Sequence, residues 1–247
     1  MLELLLVASL TCVATGLGVI PVILLGERAA AIRPALLGLA AGVMAVAAVA
    51  GLLLPALDEG TAIEVGLGFL AGVGFLLAAR SWLGHRKMRG DRPLSASLRA
   101  SRRTSVLVFA VLFVHSLPEG FAIGTAYASE TAGLGAFVVV AIAVQNIPEG
   151  TSVAIPMEAA GYSAARQVWA AIATSIPQPI GAVVAFVLVE EITALLPISF
   201  GFAAGAMLAL VALEMAPQAW AQNRRLALVG VGFGTVGMVA FSLLLGV

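Results

Sequence analysis

Cysteine, histidine and charge are all scarce in this 247-residue chain, and each scarcity removes a class of protein. A single cysteine, Cys12, leaves no disulfide framework and no paired-cysteine metal motif, and inside an apolar run it reads as a small buried residue. The two histidines, His85 and His115, are too far apart for a His-Glu-x-x-His motif, so the zinc-protease signature is absent and no enzyme is expected. Only 11% of residues are charged against 61% hydrophobic, with a mean hydropathy of +1.09, and a soluble domain of this length could not hide so much apolar surface. The 13 Lys and Arg balance 13 Asp and Glu, and no nucleic-acid partner is expected. Met1-Leu2-Glu3 lacks the basic start of a signal peptide, so the first apolar run reads as a retained helix.

What is present is long apolar helix. Windows of about 19 residues give eight spans, 3–25, 34–57, 62–84, 105–128, 132–156, 166–189, 196–219 and 225–246, each close to the ~20 residues that cross a bilayer core. The expected fold is therefore an all-α membrane protein, one polytopic domain over 1–247 embedded in lipid. All the basic residues fall in alternate loops: Arg28 and Arg33, eight from Arg80 to Arg103, Arg166, and Arg224 with Arg225. The opposite loops carry Asp58, Glu59, Glu130, Glu190 and Glu191 instead. Basic loops favour the cytoplasm, which predicts a cell-membrane protein with both termini extracytoplasmic and the loop over 85–104 as a flexible cytoplasmic linker. Trp82, Trp169 and Trp220 sit at predicted inner helix ends, where an interfacial belt would place them.

Short matches recur with reversed topology. Gly38-Leu39-Ala40-Ala41-Gly42-Val43-Met44 in span two resembles Gly201-Phe202-Ala203-Ala204-Gly205-Ala206-Met207 in span seven, and Gly66-Leu67-Gly68-Phe69 in span three resembles Gly230-Val231-Gly232-Phe233 in span eight. Helix packing explains the small residues but not their matching order. The pattern predicts a 3+2+3 arrangement in which helices 1–3 and 6–8 are inverted repeats around helices four and five, an architecture used by transporters.

Those two central spans share a polar motif. Val114-His115-Ser116-Leu117-Pro118-Glu119-Gly120 returns 30 residues later as Val144-Gln145-Asn146-Ile147-Pro148-Glu149-Gly150. Charge inside a bilayer is costly and is normally found facing a bundle interior or cavity. Residues four apart share a helix face, so His115 with Glu119, and Gln145 with Glu149, can each grip one ion. The prolines free the carbonyls of Val114 and Val144, which places the breaks on a cavity rather than on lipid. Imidazole, carboxylate and amide form a borderline ligand set suited to Zn²⁺ and its first-row neighbours, and two glutamates match one divalent charge. The metal is substrate, and no cofactor is expected. Ser116 and Asn146 serve interhelical hydrogen bonding as readily as ligation, and Met44 on composition alone is a core filler. Glu214, near the inner end of span seven, lines an exit path or reaches the interface; Gln178, between Pro177 and Pro179, marks a broken span six. A proton-coupled carrier of a neutral solute would also use intramembrane carboxylates, but gives no reason for His and Gln at the same offsets.

At these residues the chain resembles the ZIP family of divalent-metal transporters, nearest its bacterial GufA-like branch, along essentially its whole length. The resemblance implies uptake of Zn²⁺, or Cd²⁺, Fe²⁺ or Mn²⁺, toward the cytoplasm by alternating access through a site between helices two, four and five. It implies that His115, Glu119, Gln145 and Glu149 form that site with Met44 completing it, and Asn146 is counted among the metal-binding residues. It also implies a homodimer in which the helix 1, 4, 5, 6 bundle moves against the helix 2, 3, 7, 8 bundle. The chain departs from the family pattern in having Gln145 where many members have histidine. Ser116, Asn146 and Gln178 stand where members with a second metal place ligands; all three are neutral here, so one tightly bound core metal per protomer is expected.

Overall fold

Helix is the only regular structure that satisfies every backbone group within one segment, and this chain is built from little else. The computed structural model describes residues 1–85, 96–129 and 131–246. Its helices are α1 (Leu2–Leu17), α2 (Ile20–Leu25), α3 (Ala29–Ala48), α4 (Leu54–Glu59), α5 (Ala62–His85), α6 (Ala96–Ala128), α7 (Leu134–Ala159), α8 (Ala164–Thr174), α9 (Pro177–Glu191), α10 (Leu196–Leu210) and α11 (Ala216–Leu245). Among the described residues there is no β-strand. Seven helical stretches are long and apolar enough to cross a membrane, the last of them, Thr193–Leu245, with 53 residues. Trp82, Trp169 and Trp220 are all half exposed or more.

Four parallel helix pairs organise the bundle, each closed by small residues that bring backbone onto backbone. Gly38 abuts Ala227 and Gly42 abuts Val231, so α3 runs parallel to the second half of α11. Gly68 abuts Ile198 and Gly72 abuts Phe202, pairing α5 with α10. Gly120 abuts Gln178 and Gly124 abuts Ala182, pairing α6 with α9. Asn146 donates to the Thr11 carbonyl and Gly150 meets the Thr15 carbonyl, pairing α1 with α7. The pairs gather into two groups, α1 with α6 to α9 and α3 with α5, α10 and α11, and α6 and α7 face both.

The final stretch reverses. Gly60, at the end of α4, lies against Pro197, whereas Arg33, early in α3, reaches Gln218, so α10 runs antiparallel to the α3–α4 stretch although the end of α11 runs parallel to it. The turn falls at Asn223, whose backbone is extended (φ −160°, ψ 99°) and whose side chain accepts from the Leu226 N–H at 3.1 Å to restart the helix.

Helix irregularities follow proline. Val49–Leu53 and Val211–Met215 each form a wide π turn, 162 residues apart, and each precedes a proline, Pro55 or Pro217, that has no N–H for the carbonyl four residues back. The sequence reading places no irregularity there. Span six breaks at Ser175–Ile176, beside Pro177-Gln178-Pro179 as expected, and span one also breaks, at Gly18–Val19 before Pro21. The freed Gly18 carbonyl accepts from the Thr151 hydroxyl at 2.6 Å. By contrast, the chain stays helical on both sides of Pro118 and Pro148.

Two helix starts differ from expectation. Arg33 lies inside α3 rather than in a loop, and residues 96–104 of the expected linker are the first turns of α6. Hydropathy marks where a helix leaves the apolar layer, not where its backbone begins, and Ala96, Leu98, Arg99 and Ala100 are good helix formers. The rest of the linker, 86–95, and Glu130 lie outside the described residues.

A methyl group tests the close packing. On Gly230 it would overlap the Ala35 carbonyl, but on Gly232 it would meet open space. Gly230→Ala is expected to cost about 1–3 kcal/mol by overpacking. Gly232→Ala is expected to be neutral or mildly stabilising. Unfolding midpoints of the two purified variants in detergent check this.

Candidate functional site

Both copies of the repeated motif meet where α6 lies along α7, and α9 brings its proline-flanked glutamine to the same point. Glu119 is the centre. Gln145 Nε2 donates to Glu119 Oε1 at 2.9 Å and Gln178 Nε2 donates to Glu119 Oε2 at 2.5 Å, so both carboxylate oxygens are held. Asn146 and Gln178 form a reciprocal amide pair, with Nδ2 to Oε1 at 3.1 Å and Nε2 to Oδ1 at 3.2 Å. The Thr11 hydroxyl donates to Gln178 Oε1 at 2.8 Å, and Asn146 Nδ2 donates to the Thr11 carbonyl at 2.8 Å. Glu119, Gln145, Asn146 and Gln178 are each at most 1% exposed. The two helix breaks support this core: the Thr15 and Ser175 hydroxyls lie 2.6 Å apart, and Cys12 donates to the Ser175 carbonyl at 3.0 Å. That carbonyl also accepts from the Gln178 N–H at 2.9 Å, so the thiol adds a second donor and has a polar contact beyond the apolar one expected of it.

Around this satisfied core lies an unsatisfied rim. His115 Nδ1, Gln145 Oε1 and Glu149 Oε1 are buried and have no hydrogen-bond partner. An orphaned buried polar atom is costly enough that native structures rarely keep one without a use. Glu149 neighbours Glu119, and two carboxylates so placed in a low dielectric repel unless a proton or a metal ion sits between them. Among the described residues, no three His, Cys, Asp or Glu side chains gather closely enough to hold a metal by themselves.

The rim opens toward one end of the molecule. A cavity of about 160 Å³ is lined by His115, Glu149, Ser152, Glu214, Gln218 and Arg33 among others. A wider cavity of about 530 Å³ shares Glu214 and Gln218 with it and adds Arg80. Glu214 stands on the π turn at the end of α10, with its Oε1 3.9 Å from His115 Nε2, which places it on the path that leads from the site to the basic end.

Of the candidate residues, His115, Glu119, Gln145, Asn146, Glu149, Gln178 and Glu214 come together. Ser116 does not: its hydroxyl donates back to the Leu112 carbonyl at 3.0 Å within its own helix. Met44 is fully buried in the main apolar cluster and lines neither cavity. Thr11 and Arg33 join the site without being singled out by the sequence reading, in which Arg33 is only a loop charge.

Comparison with known proteins places the chain among transporters. Residues 84–242 match the family described as ZIP Zinc transporter. The chain is 33% identical over 255 residues to zinc transporter GufA of Myxococcus xanthus, covering 98% of both proteins. It is 34% identical over 216 residues to zinc transporter ZIPB of Bordetella bronchiseptica, covering 83% of this chain and 69% of that one. An Arabidopsis thaliana protein provisionally named a zinc transporter is 40% identical over 116 residues, 47% of this chain, and the match spans only 19% of that longer protein.

Gln178 is the keystone of the hydrogen-bonded core. Gln178→Leu would leave Glu119, Asn146 and Thr11 with unmet partners, at about 1–3 kcal/mol for each buried orphan. The metal-free variant is expected to unfold at a lower temperature than the parent in detergent, and an unchanged midpoint would show that the network carries no stability.

Proposed function

Since the chain belongs to the ZIP zinc transporter family, and is a transporter rather than an enzyme, we propose that it carries Zn²⁺, or a first-row neighbour, across the membrane toward the basic, cytoplasmic end. The observation that carries this reading is that three atoms of the repeated motif, His115 Nδ1, Gln145 Oε1 and Glu149 Oε1, are buried without a partner. Each can offer a lone pair, and together they make the mixed nitrogen and oxygen set that first-row dications accept. Glu119 contributes charge while held by its amides, and Met44 is the ligand that family resemblance adds from the opposing helix group. Asn146 and Gln178 position Glu119 rather than bind the metal. Their mutual hydrogen bonds use the oxygens a second metal would need, which favours one core metal.

We read the chain as eight crossings with both termini outside, the last stretch counted twice because it reverses at Asn223. The π turns 162 residues apart in spans two and seven support inverted repeats of helices 1–3 and 6–8. In this reading the cavity beneath His115 and Glu149 is the inward-facing path, Glu214 is its first polar stop, and the two helix groups slide past one another as a homodimer works.

Uptake into proteoliposomes tests the proposal. The parent should show saturable Zn²⁺ flux. His115→Ala and Glu149→Ala should each lose more than about tenfold, since even outer partners of a metal site are worth 10–100-fold. Near-parental flux in either variant, with comparable protein in the membrane, would remove that residue from the site, and no saturable flux in the parent would remove the function.

A further inference from the structure

Among the described residues, Arg33 is the one Lys or Arg that lines the same cavity as His115, Glu149 and Glu214. It sits one residue before Pro34 on α3, half-buried, with a buried Nε that has no partner. Its Nη2 reaches Gln218 Oε1 only at 3.4 Å, the long end of hydrogen-bonding range. The same cavity of about 160 Å³ is lined by His115, Glu149 and Glu214. A guanidinium keeps its charge at every accessible pH and prefers to grip a carboxylate through two N–H groups. Among the described residues Arg33 makes no such pair. Arg80, on the wider cavity, is exposed, so water and salt screen it.

A cation on the exit path of a cation needs a reason. Arg33 belongs to the α3, α5, α10 and α11 group, whereas His115, Glu119 and Glu149 belong to the other group. Its field therefore acts on the site only when the site faces the basic end. We propose that Arg33 is a release residue: it repels the metal at the inward-facing site and competes with it for Glu149 and Glu214, so that affinity falls on the cytoplasmic side and not on the outer side. The inference rests on the transport function proposed above.

The two faces separate the outcomes. In proteoliposomes of known sidedness, the Zn²⁺ concentration on the Arg33 side that half-inhibits uptake should fall about tenfold in Arg33→Gln, the order expected when a unit charge is removed near an enclosed site. The KM for metal on the opposite side should change less than about twofold. Arg33→Met, which keeps the apolar stem, should show the same shift and serves if the glutamine variant does not fold; Arg33→Lys should keep the parental value. An equal change on both sides, no change on either, or the same shift from Arg80→Gln would overturn the proposal. A parent without saturable metal uptake would instead overturn the transport function itself.

Discussion

Two carboxylates close together in the middle of an apolar bundle are the constraint around which this protein is arranged. In hydrocarbon a charge must be met by a partner, by water or by an ion. Glu119 is met by protein, through the Gln145 and Gln178 amides. Glu149 has no such amide partners, and its Oε1 is buried without any. That asymmetry is chemically useful. A site whose every acceptor was satisfied by protein would have nothing to offer a cation, and one with no internal partners would not fold around two glutamates. The amide network holds one carboxylate in place and leaves His115 Nδ1, Gln145 Oε1 and Glu149 Oε1 without a protein partner.

The requirements of that site reach outward into the helices. Bringing Gln178 onto Glu119 needs α9 against α6 at backbone contact, which Gly120 allows by presenting no side chain to the Gln178 carbonyl. Holding Asn146 needs α1 against α7, and the breaks in spans one and six expose hydroxyl, thiol and carbonyl groups that satisfy one another across that seam. These contacts knit α1 and α6 to α9 into one body. Glu214 comes from the other body, and the π turn that carries it brings a carboxylate within 3.9 Å of His115 at the head of the cavity. A path between two bodies can open and close by their relative movement; one within a single close-packed body cannot do so as readily.

Much of this was legible in the sequence because its cause is local or periodic. His115 with Glu119 and Gln145 with Glu149 declare themselves by helical spacing inside apolar runs, and Gln178 by the prolines on either side. Loop charge gave the end at which Arg33, Arg80 and the cavities meet. What was not legible depends on a neighbour. Ser116 follows His115 as Asn146 follows Gln145, yet one hydroxyl can satisfy itself on its own Leu112 carbonyl while the longer amide must find Thr11 and Gln178. Arg33 read as a loop residue because its charge ends the apolar window, although its long stem lets the helix begin earlier at Ala29. The π turns were hidden because a proline near a helix end signals a start as often as a distortion.

The central claim is that one dication sits among His115, Glu119, Gln145 and Glu149. Anomalous diffraction from crystals of the Zn²⁺-loaded protein, collected on both sides of the zinc edge, tests it most directly. The account predicts one strong core peak per protomer, within about 2.0–2.2 Å of an imidazole nitrogen and carboxylate oxygens from these residues. Two strong core peaks, with Asn146 and Gln178 turned to ligate the second, or a peak confined to the vestibule near Glu214 with these four residues unbound, would contradict it.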